Sequence, residues 1–159
     1  MSDRVEMRLT ELGVTIPEVQ MPRAQYVLAK RVGDLLFISG QGPRLNGVLE
    51  HAGRIGRDLS VDEGYEAARR CALNVLAVIQ FVEGSLDNVR EVVHVRGFVN
   101  SADGFHDQPK VVDGASDLFV SVWGDAGRHA RVALGTSALP NNIAVELECV
   151  VRMRQGIQE

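Results

Sequence analysis

The sequence predicts an α+β domain built on one sheet, with two long helices packed on the same face of that sheet. Two amphipathic segments alternate with segments rich in β-branched residues, in the order helix, strand, strand, helix, strand, helix, strand, strand. In the final segment, apolar residues at every second position alternate with Glu146 and Glu148, so only one face suits contact with helices. The other face is left for water or a partner chain. We assign Ala133 and Gly135 to that face, where small residues suggest contact between subunits.

The N-terminal part is predicted to be an extension of the main domain. Apolar residues at helical spacing predict a helix over 3–12, which Gly13 ends. Residues 16–22 form a connector that contains two prolines. We therefore divide the chain into a helical extension with its connector, 1–23, and a single domain, 24–159.

The first half of the domain is predicted to hold two strands and the first long helix. Residues 26–30 and 35–39 are the strands, and a Gly-Asp turn joins them. A glycine-rich loop follows. Ser60 has a glutamate three residues later, which forms a capping box at the start of the helix, and Gly84 ends it.

The second half is predicted to add three strands and the second long helix. A valine-rich strand covers 89–99. The helix begins near Asp107, with a proline in its first turn, and ends at Gly124. Strands over 131–137 and 144–153 complete the sheet.

Composition and charge narrow the classes of function. The 159 residues carry a net charge of −4 and only 5% aromatic residues, so nucleic-acid binding is not expected. No apolar run could span a bilayer and no signal-peptide core is present, which predicts a cytoplasmic protein without membrane association. Cys71 and Cys149 lie in apolar runs, which indicates buried thiols in a reducing compartment. The four scattered histidines form no metal-binding motif.

Two charged residues occupy positions where they could take part in chemistry. Arg131 begins a strand directly after a loop, where its guanidinium could bind a carboxylate through two hydrogen bonds; an exposed arginine at a strand end is the alternative. Glu146 lies on the face away from the helices, where a partly desolvated carboxylate can activate water; a surface ion pair is the alternative. A triad of Ser39, His94 and Glu146 lacks a supporting nucleophile-elbow motif.

Several segments together resemble the RidA/YjgF family of reactive-intermediate deaminases. Tyr26 lies thirteen positions before the first residue of Ser39-Gly40-Gln41, as the family's tyrosine precedes its Ser-Gly-Gln. The other matching segments are Ala72-Leu73-Asn74-Val75-Leu76, Leu86-Asp87-Asn88-Val89, Phe105, Ala130-Arg131-Val132-Ala133, Leu139-Pro140 and Val145-Glu146-Leu147-Glu148. The similarity covers about residues 24–153. The N-terminal helix and the segments 53–60 and 113–117 resemble a longer subgroup, which is labelled endoribonuclease-like or chorismate-mutase-like.

The resemblance implies a chorismate-mutase-like fold with one mixed sheet, in a homotrimer with a central barrel and ligand clefts between subunits. It also implies hydrolysis of reactive enamines and imines, such as 2-aminoacrylate and 2-iminopropionate, to a 2-keto acid and ammonia without a cofactor. The arginine that pairs with the substrate carboxylate in the family corresponds to Arg131, and the acid that positions water corresponds to Glu146. Whether Glu148 takes that role instead stays open. The residues that line the cleft or hold ligand oxygens through backbone N–H groups correspond to Tyr26, Ser39, Gly40 and Ala133.

Three positions depart from the family's pattern: Val132, Ala133 and Asp113. A carboxylate at position 113 is expected to repel an anionic substrate. A divergent carboxylate-binding protein of the same fold, without turnover, is therefore an alternative function. RNA cleavage or inhibition of translation is a second alternative, which the negative net charge disfavours. A chorismate mutase would need several arginines that converge on a dicarboxylate.

Overall fold

The computed structural model of the protein describes residues 4–156. The α-helices are α1 (Arg4–Glu11), α2 (Val61–Glu83) and α3 (Gln108–Trp123). The strands are β1 (Ala29–Val32), β2 (Leu35–Gln41), β3 (Arg44–Leu45), β4 (Val48–Leu49), β5 (Val89–Asn100), β6 (Ala130–Thr136) and β7 (Val145–Met153). Short 3-10 turns lie at Leu86–Asn88, Gly124–Gly127 and Pro140–Asn142.

A five-stranded mixed sheet is the centre of the fold. Its strand order is β1-β2-β7-β5-β6, in which β5 and β6 are parallel and the other neighbours are antiparallel. Helices α2 and α3 pack against each other and against one face of this sheet. The predicted mixed sheet with two long helices on one face is therefore confirmed, whereas the trimer and its central barrel stay predictions. Strands β3 and β4 form a separate small hairpin.

The two faces of the sheet differ as the alternation in the last strand predicted. In β7, every odd-numbered residue is buried under the helices and every even-numbered residue is only partly buried. The side without helices, called the open face below, carries Phe37, Arg96, Phe98, Val132, Leu134, Glu146, Glu148 and Val150. Cys71 and Cys149 are free and buried, as predicted. No helix within residues 4–156 has the length and apolar character needed to cross a membrane.

The side chains of β6 face the opposite way from the prediction. Ala133 packs against the core, and a Cβ on Gly135 would lie 2.7 Å from the side chain of Gln108 in α3. The open face instead carries Val132 and Leu134, which are 39% and 47% exposed. Helix α3 passes so close to this edge of the sheet that small residues lie beneath it, and the larger apolar side chains point to the other face.

Helix α2 begins where the sequence predicted it, because a reciprocal capping box between Ser60 and Glu63 stabilises its first turn. The Ser60 hydroxyl accepts from the backbone N–H of Glu63, and the Glu63 carboxylate accepts from the backbone N–H of Ser60, both at 3.1 Å. Gly84 ends the helix in the left-handed conformation, with φ 82°. At the contact with α3, a Cβ on Gly114 would collide with the carbonyl oxygen of Tyr65. The two helices can therefore approach closely only because residue 114 is glycine.

Both ends of the described chain form hydrogen bonds to the turn that follows α2. The Asp87 carboxylate accepts from the backbone N–H groups of Arg4 at 2.7 Å and Val5 at 3.2 Å, so a residue remote in sequence caps α1. Arg154 donates from its side-chain Nε to the Asp87 carbonyl at 3.1 Å and from its backbone N–H to the Asn88 carbonyl at 2.7 Å. Because Val5 is also buried in the common core, α1 is an integral part of the packed structure.

Candidate functional site

The predicted site residues fall into two clusters on opposite faces of the sheet. The glutamate cluster consists of Ser39, Gly40 and Glu146, and Tyr26 lies in the segment before β1. The arginine cluster consists of Asp113 and Ser116 on α3, Arg131 at the start of β6 and His129 just before β6. Neither cluster contains both the predicted carboxylate anchor and the predicted acid.

A bulge at the end of β2 brings Gly40 against Glu146. The pairing of β2 with β7 shifts register here, and a Cβ on Gly40 would collide with the Glu146 carboxylate. The Ser39 hydroxyl donates to the Val27 carbonyl at 2.7 Å. This bond ties β2 to the irregular segment that carries Tyr26, which is 59% exposed. The strand predicted over 26–30 therefore begins later, at the first residue of β1.

Glu146 and Glu148 lie on the same face of β7 but in different electrostatic surroundings. Glu148 forms an ion pair with Arg96, whose Nη1 lies 3.0 Å from Glu148 Oε1. Glu146 is partly buried next to Phe98 on β5 and has no ion-pair partner among residues 4–156. Burial, and to a smaller extent the charge of Glu148, raises the pKa of Glu146. Of these two carboxylates, Glu146 has the properties expected of a group that transfers protons.

A groove of about 510 Å³ runs along the open face and touches the glutamate cluster only at Ser39. Its other lining residues include Lys30, Phe37, His94, Arg96 and Glu148. Neither Glu146 nor Arg131 lines this groove. The groove is thus a feature of the open face, not the place where the predicted anchor and acid meet.

The guanidinium of Arg131 is held from one side by α3. Its Nη1 donates to Asp113 Oδ1 at 2.8 Å and to Ser116 Oγ at 3.1 Å. Its Nη2 makes only a 3.5 Å contact with the Pro109 carbonyl, and its Nε has no hydrogen-bond partner among the described residues. The side chain is 23% exposed. Asp113, which we expected to repel an anionic ligand, is instead ion-paired with Arg131, and the Nε–Nη2 edge of the guanidinium is left for a ligand.

Ser116 and His129 complete the arginine cluster, and the sequence analysis did not identify them. Ser116 Oγ lies 2.9 Å from His129 Nε2, and His129 Nδ1 lies 2.7 Å from the Gly127 carbonyl. The spacing of these residues along the sequence was a signal that could have indicated the cluster. Ser116 is three positions after Asp113 on one helix, and His129 is two positions before Arg131, so each pair shares a face.

Within one chain, Arg131 and Glu146 lie too far apart to contact one small substrate. Arg131 is paired with Val95 on β5, and Glu146 is paired with Phe98 three residues farther along that strand. Strand β5 lies between β6 and β7. The two residues are therefore about 10 Å apart across the strands and about 10 Å apart along them. Their side chains also leave the sheet on opposite faces.

Comparison with known proteins assigns the chain to a family. Residues 6–153 match the YjgF/chorismate-mutase-like family of candidate endoribonucleases. The chain belongs to this family. The match includes both clusters and every strand of the sheet, so it covers the fold as well as the candidate site.

Three relatives illustrate the range of the YjgF/chorismate-mutase-like family. Protein TCP17 from Trypanosoma cruzi is 42% identical over 155 residues, which cover 96% of each chain. A protein from Dermatophagoides farinae named 2-iminobutanoate/2-iminopropanoate deaminase is 27% identical, over 87% of this chain and 93% of its own. The crystal structure of a candidate endoribonuclease from Shewanella oneidensis is 34% identical, with TM-score 0.91, over 94% of this chain and 99% of that chain.

Proposed function

We propose that the protein hydrolyses reactive 2-imino and 2-enamino acids to 2-keto acids and ammonia, without a cofactor, at clefts between the subunits of a homotrimer. The observation that carries this proposal is that one cluster contains a group suited to bind a carboxylate and the other contains a group suited to transfer a proton. The Nε–Nη2 edge of Arg131 makes only a long hydrogen bond, from Nη2 to the Pro109 carbonyl at 3.5 Å, and Glu146 is a partly buried carboxylate without a counter-ion among residues 4–156. The relative named as a deaminase supports the same chemistry.

Arg131 is assigned to the substrate carboxylate. The Nε–Nη2 edge can donate two parallel hydrogen bonds to the two oxygens of a carboxylate, which fixes the plane of the substrate as well as its position. The low exposure of the side chain strengthens this contact, because less water competes for the charge. Orientation of this kind is the main requirement, since the C=N carbon of a protonated imine is already electrophilic.

Glu146 is assigned to the attacking water. Its carboxylate takes one proton from the water as the oxygen bonds to C2, and the C=N bond becomes a C–N single bond. The proton then passes to the nitrogen. The C–N bond breaks as Glu146 takes the remaining hydroxyl proton, so that C2 becomes a carbonyl and ammonia leaves; release of this last proton restores the carboxylate. The raised pKa of Glu146 suits both directions of this proton transfer. Gly40 leaves room for the carboxylate, and we assign its backbone N–H to a substrate oxygen.

The cleft needs residues from two subunits, because one chain separates Arg131 from Glu146. Strand β6 is an edge of the sheet, so part of its backbone is unpaired, and the open face beside it exposes Val132 and Leu134. A second chain packed on the open face would cover these apolar side chains. In this arrangement, Arg131 and Ala133 of one subunit lie beside the glutamate cluster and Tyr26 of the next subunit. The two sets of residues together form the cleft.

A carboxylate-binding protein without turnover is the second candidate. The observation that favours it is the ion pair between Asp113 and Arg131, which neutralises part of the charge that a substrate carboxylate would meet. In this alternative the Nε–Nη2 edge still binds a carboxylate, but no hydrolysis follows.

The deciding experiment is a coupled assay in which a pyridoxal-phosphate dehydratase generates 2-aminoacrylate and keto-acid formation is followed. Wild type should accelerate hydrolysis. Arg131→Ala should lower kcat/KM at least about thirtyfold, and Glu146→Gln should lower kcat about a hundredfold or more. Arg128→Ala and Glu148→Gln are matched controls, because Arg128 is 72% exposed and Glu148 is paired with Arg96. Keto-acid binding without acceleration would favour the second candidate.

A further inference from the structure

We propose that Ser116 and His129 are positioning residues for Arg131, and that they keep its Nε–Nη2 edge open to a ligand carboxylate. This inference rests on the proposed role of Arg131 as the carboxylate anchor. Ser116 lies in the segment 113–117, to which the resemblance gives no role, and His129 lies in none of the matching segments. Both residues lie on the side of Arg131 that faces α3.

The directions of the hydrogen bonds in this cluster are fixed by chemistry. A guanidinium can only donate, so Ser116 Oγ accepts from Arg131 and must send its own hydrogen elsewhere. His129 Nε2, at 2.9 Å, is the acceptor. His129 Nδ1 lies 2.7 Å from the Gly127 carbonyl, which can only accept, so the proton of the neutral ring is on Nδ1. Donation therefore runs in one direction, from Arg131 through Ser116 and His129 to Gly127.

The surroundings of His129 keep this arrangement in place. Burial and the nearby charge of Arg131 lower the pKa of His129, so the ring is neutral at pH 7 and Nε2 stays an acceptor. The ring also packs edge-on against Phe119, with centroids 5.9 Å apart. Packing and the Gly127 carbonyl thus fix the orientation of the ring before any ligand arrives.

Ser116 prevents Arg131 from closing onto Asp113. An isolated arginine and carboxylate prefer a bidentate pair with two parallel hydrogen bonds. In this structure, the only hydrogen bond between them joins Arg131 Nη1 to Asp113 Oδ1. Arg131 Nη1 makes its second hydrogen bond to Ser116 Oγ. Without the serine hydroxyl, the guanidinium can turn to give Asp113 two donors. The donors needed by a ligand carboxylate would then be occupied.

The test measures the dissociation constant of 2-oxobutanoate by calorimetry and KM and kcat in the coupled assay, on the full-length protein. Ser116→Ala should raise the dissociation constant and KM about tenfold and change kcat less than about twofold. Ser116→Thr, which keeps a hydroxyl, should restore both constants. Adding Asp113→Asn to Ser116→Ala should also recover affinity, because the competing carboxylate is gone. Ser121→Ala, on the same helix outside the cluster, is the control.

His129 is tested with two variants of opposite expectation. His129→Gln keeps an acceptor for the Ser116 hydroxyl and should stay within about threefold of wild type in affinity, whereas His129→Phe keeps a ring but no acceptor and should match Ser116→Ala. The positioning role is overturned if Ser116→Ala and His129→Phe both bind 2-oxobutanoate like wild type while Arg131→Ala does not. If wild type does not bind 2-oxobutanoate, or Arg131→Ala binds it equally well, the proposed anchor fails, and the positioning role fails with it.

Discussion

Two inactive variants should restore activity when they assemble together. In a trimer whose clefts combine Arg131 of one subunit with Glu146 of the next, Arg131→Ala and Glu146→Gln damage different halves of each cleft. Any heterotrimer that contains both variants then has one intact cleft out of three. The two residues lie on opposite faces of the sheet, two strands and three residues apart, so no intact site can form within one chain.

The magnitude follows from counting clefts. Heterotrimers selected through a different affinity tag on each variant should show about one third of wild-type activity, whereas each variant alone loses about 2–5 kcal/mol of transition-state binding. A control uses wild type co-assembled with the double variant Arg131→Ala/Glu146→Gln. Clefts between subunits predict about one sixth of wild-type activity for these heterotrimers, and a site within one chain predicts about one half.

The assay is keto-acid release from 2-aminoacrylate, with the subunit ratio of each preparation checked by intact mass. Activity of the mixed single variants at the level of the separate variants, together with about half activity in the control, would refute the composite cleft. It would also require Arg131 and Glu146 to meet inside one subunit, against the observed register of β5, β6 and β7.

Three further predictions concern stability, each measured by urea unfolding at fixed protein concentration. Glu146→Gln should raise the free energy of unfolding at pH 7 but not at pH 4, because the raised pKa of Glu146 makes its ionisation in the folded state unfavourable as pH rises through the carboxyl range. Glu148→Gln, the control, should not raise the free energy of unfolding at pH 7. Equal stabilisation by Glu146→Gln at both pH values would contradict this explanation. Gly114→Ala should lower stability by about 1–3 kcal/mol, since its Cβ would push α3 away from α2, and an unchanged midpoint would show that the helices have room. Ser60→Ala should lose about 1 kcal/mol through the broken capping box, and a loss no larger than that of Ser121→Ala would speak against that role.

The elements that the sequence predicted best are those defined by local signals. Helix α2 begins after Ser60 and ends at Gly84, because a capping box and a left-handed glycine act over a few residues. The alternation in β7 likewise reports the two environments of a single strand. Neither signal depends on where another element lies.

The elements that were predicted wrongly depend on how close another element lies. In β6 the small residues Ala133 and Gly135 face the helices and the larger Val132 and Leu134 face outward, which inverts the usual pattern. The cause is the nearness of α3, which the sequence of β6 does not record. Ser116 of the arginine cluster was missed for the same reason, because its partners become neighbours only when α3 lies over the start of β6.

The shared anchorage of both chain ends has a consequence for protein engineering. Arg4 and Arg154 both bind Asp87, so the path of the backbone through the described residues is nearly a closed loop. A short glycine-serine linker from residue 156 to residue 4 would therefore span little distance and leave the sheet undisturbed. New ends could then be opened in the exposed β3–β4 hairpin, around Asn46 and Gly47. A reporter joined there would leave α1 in place against the core.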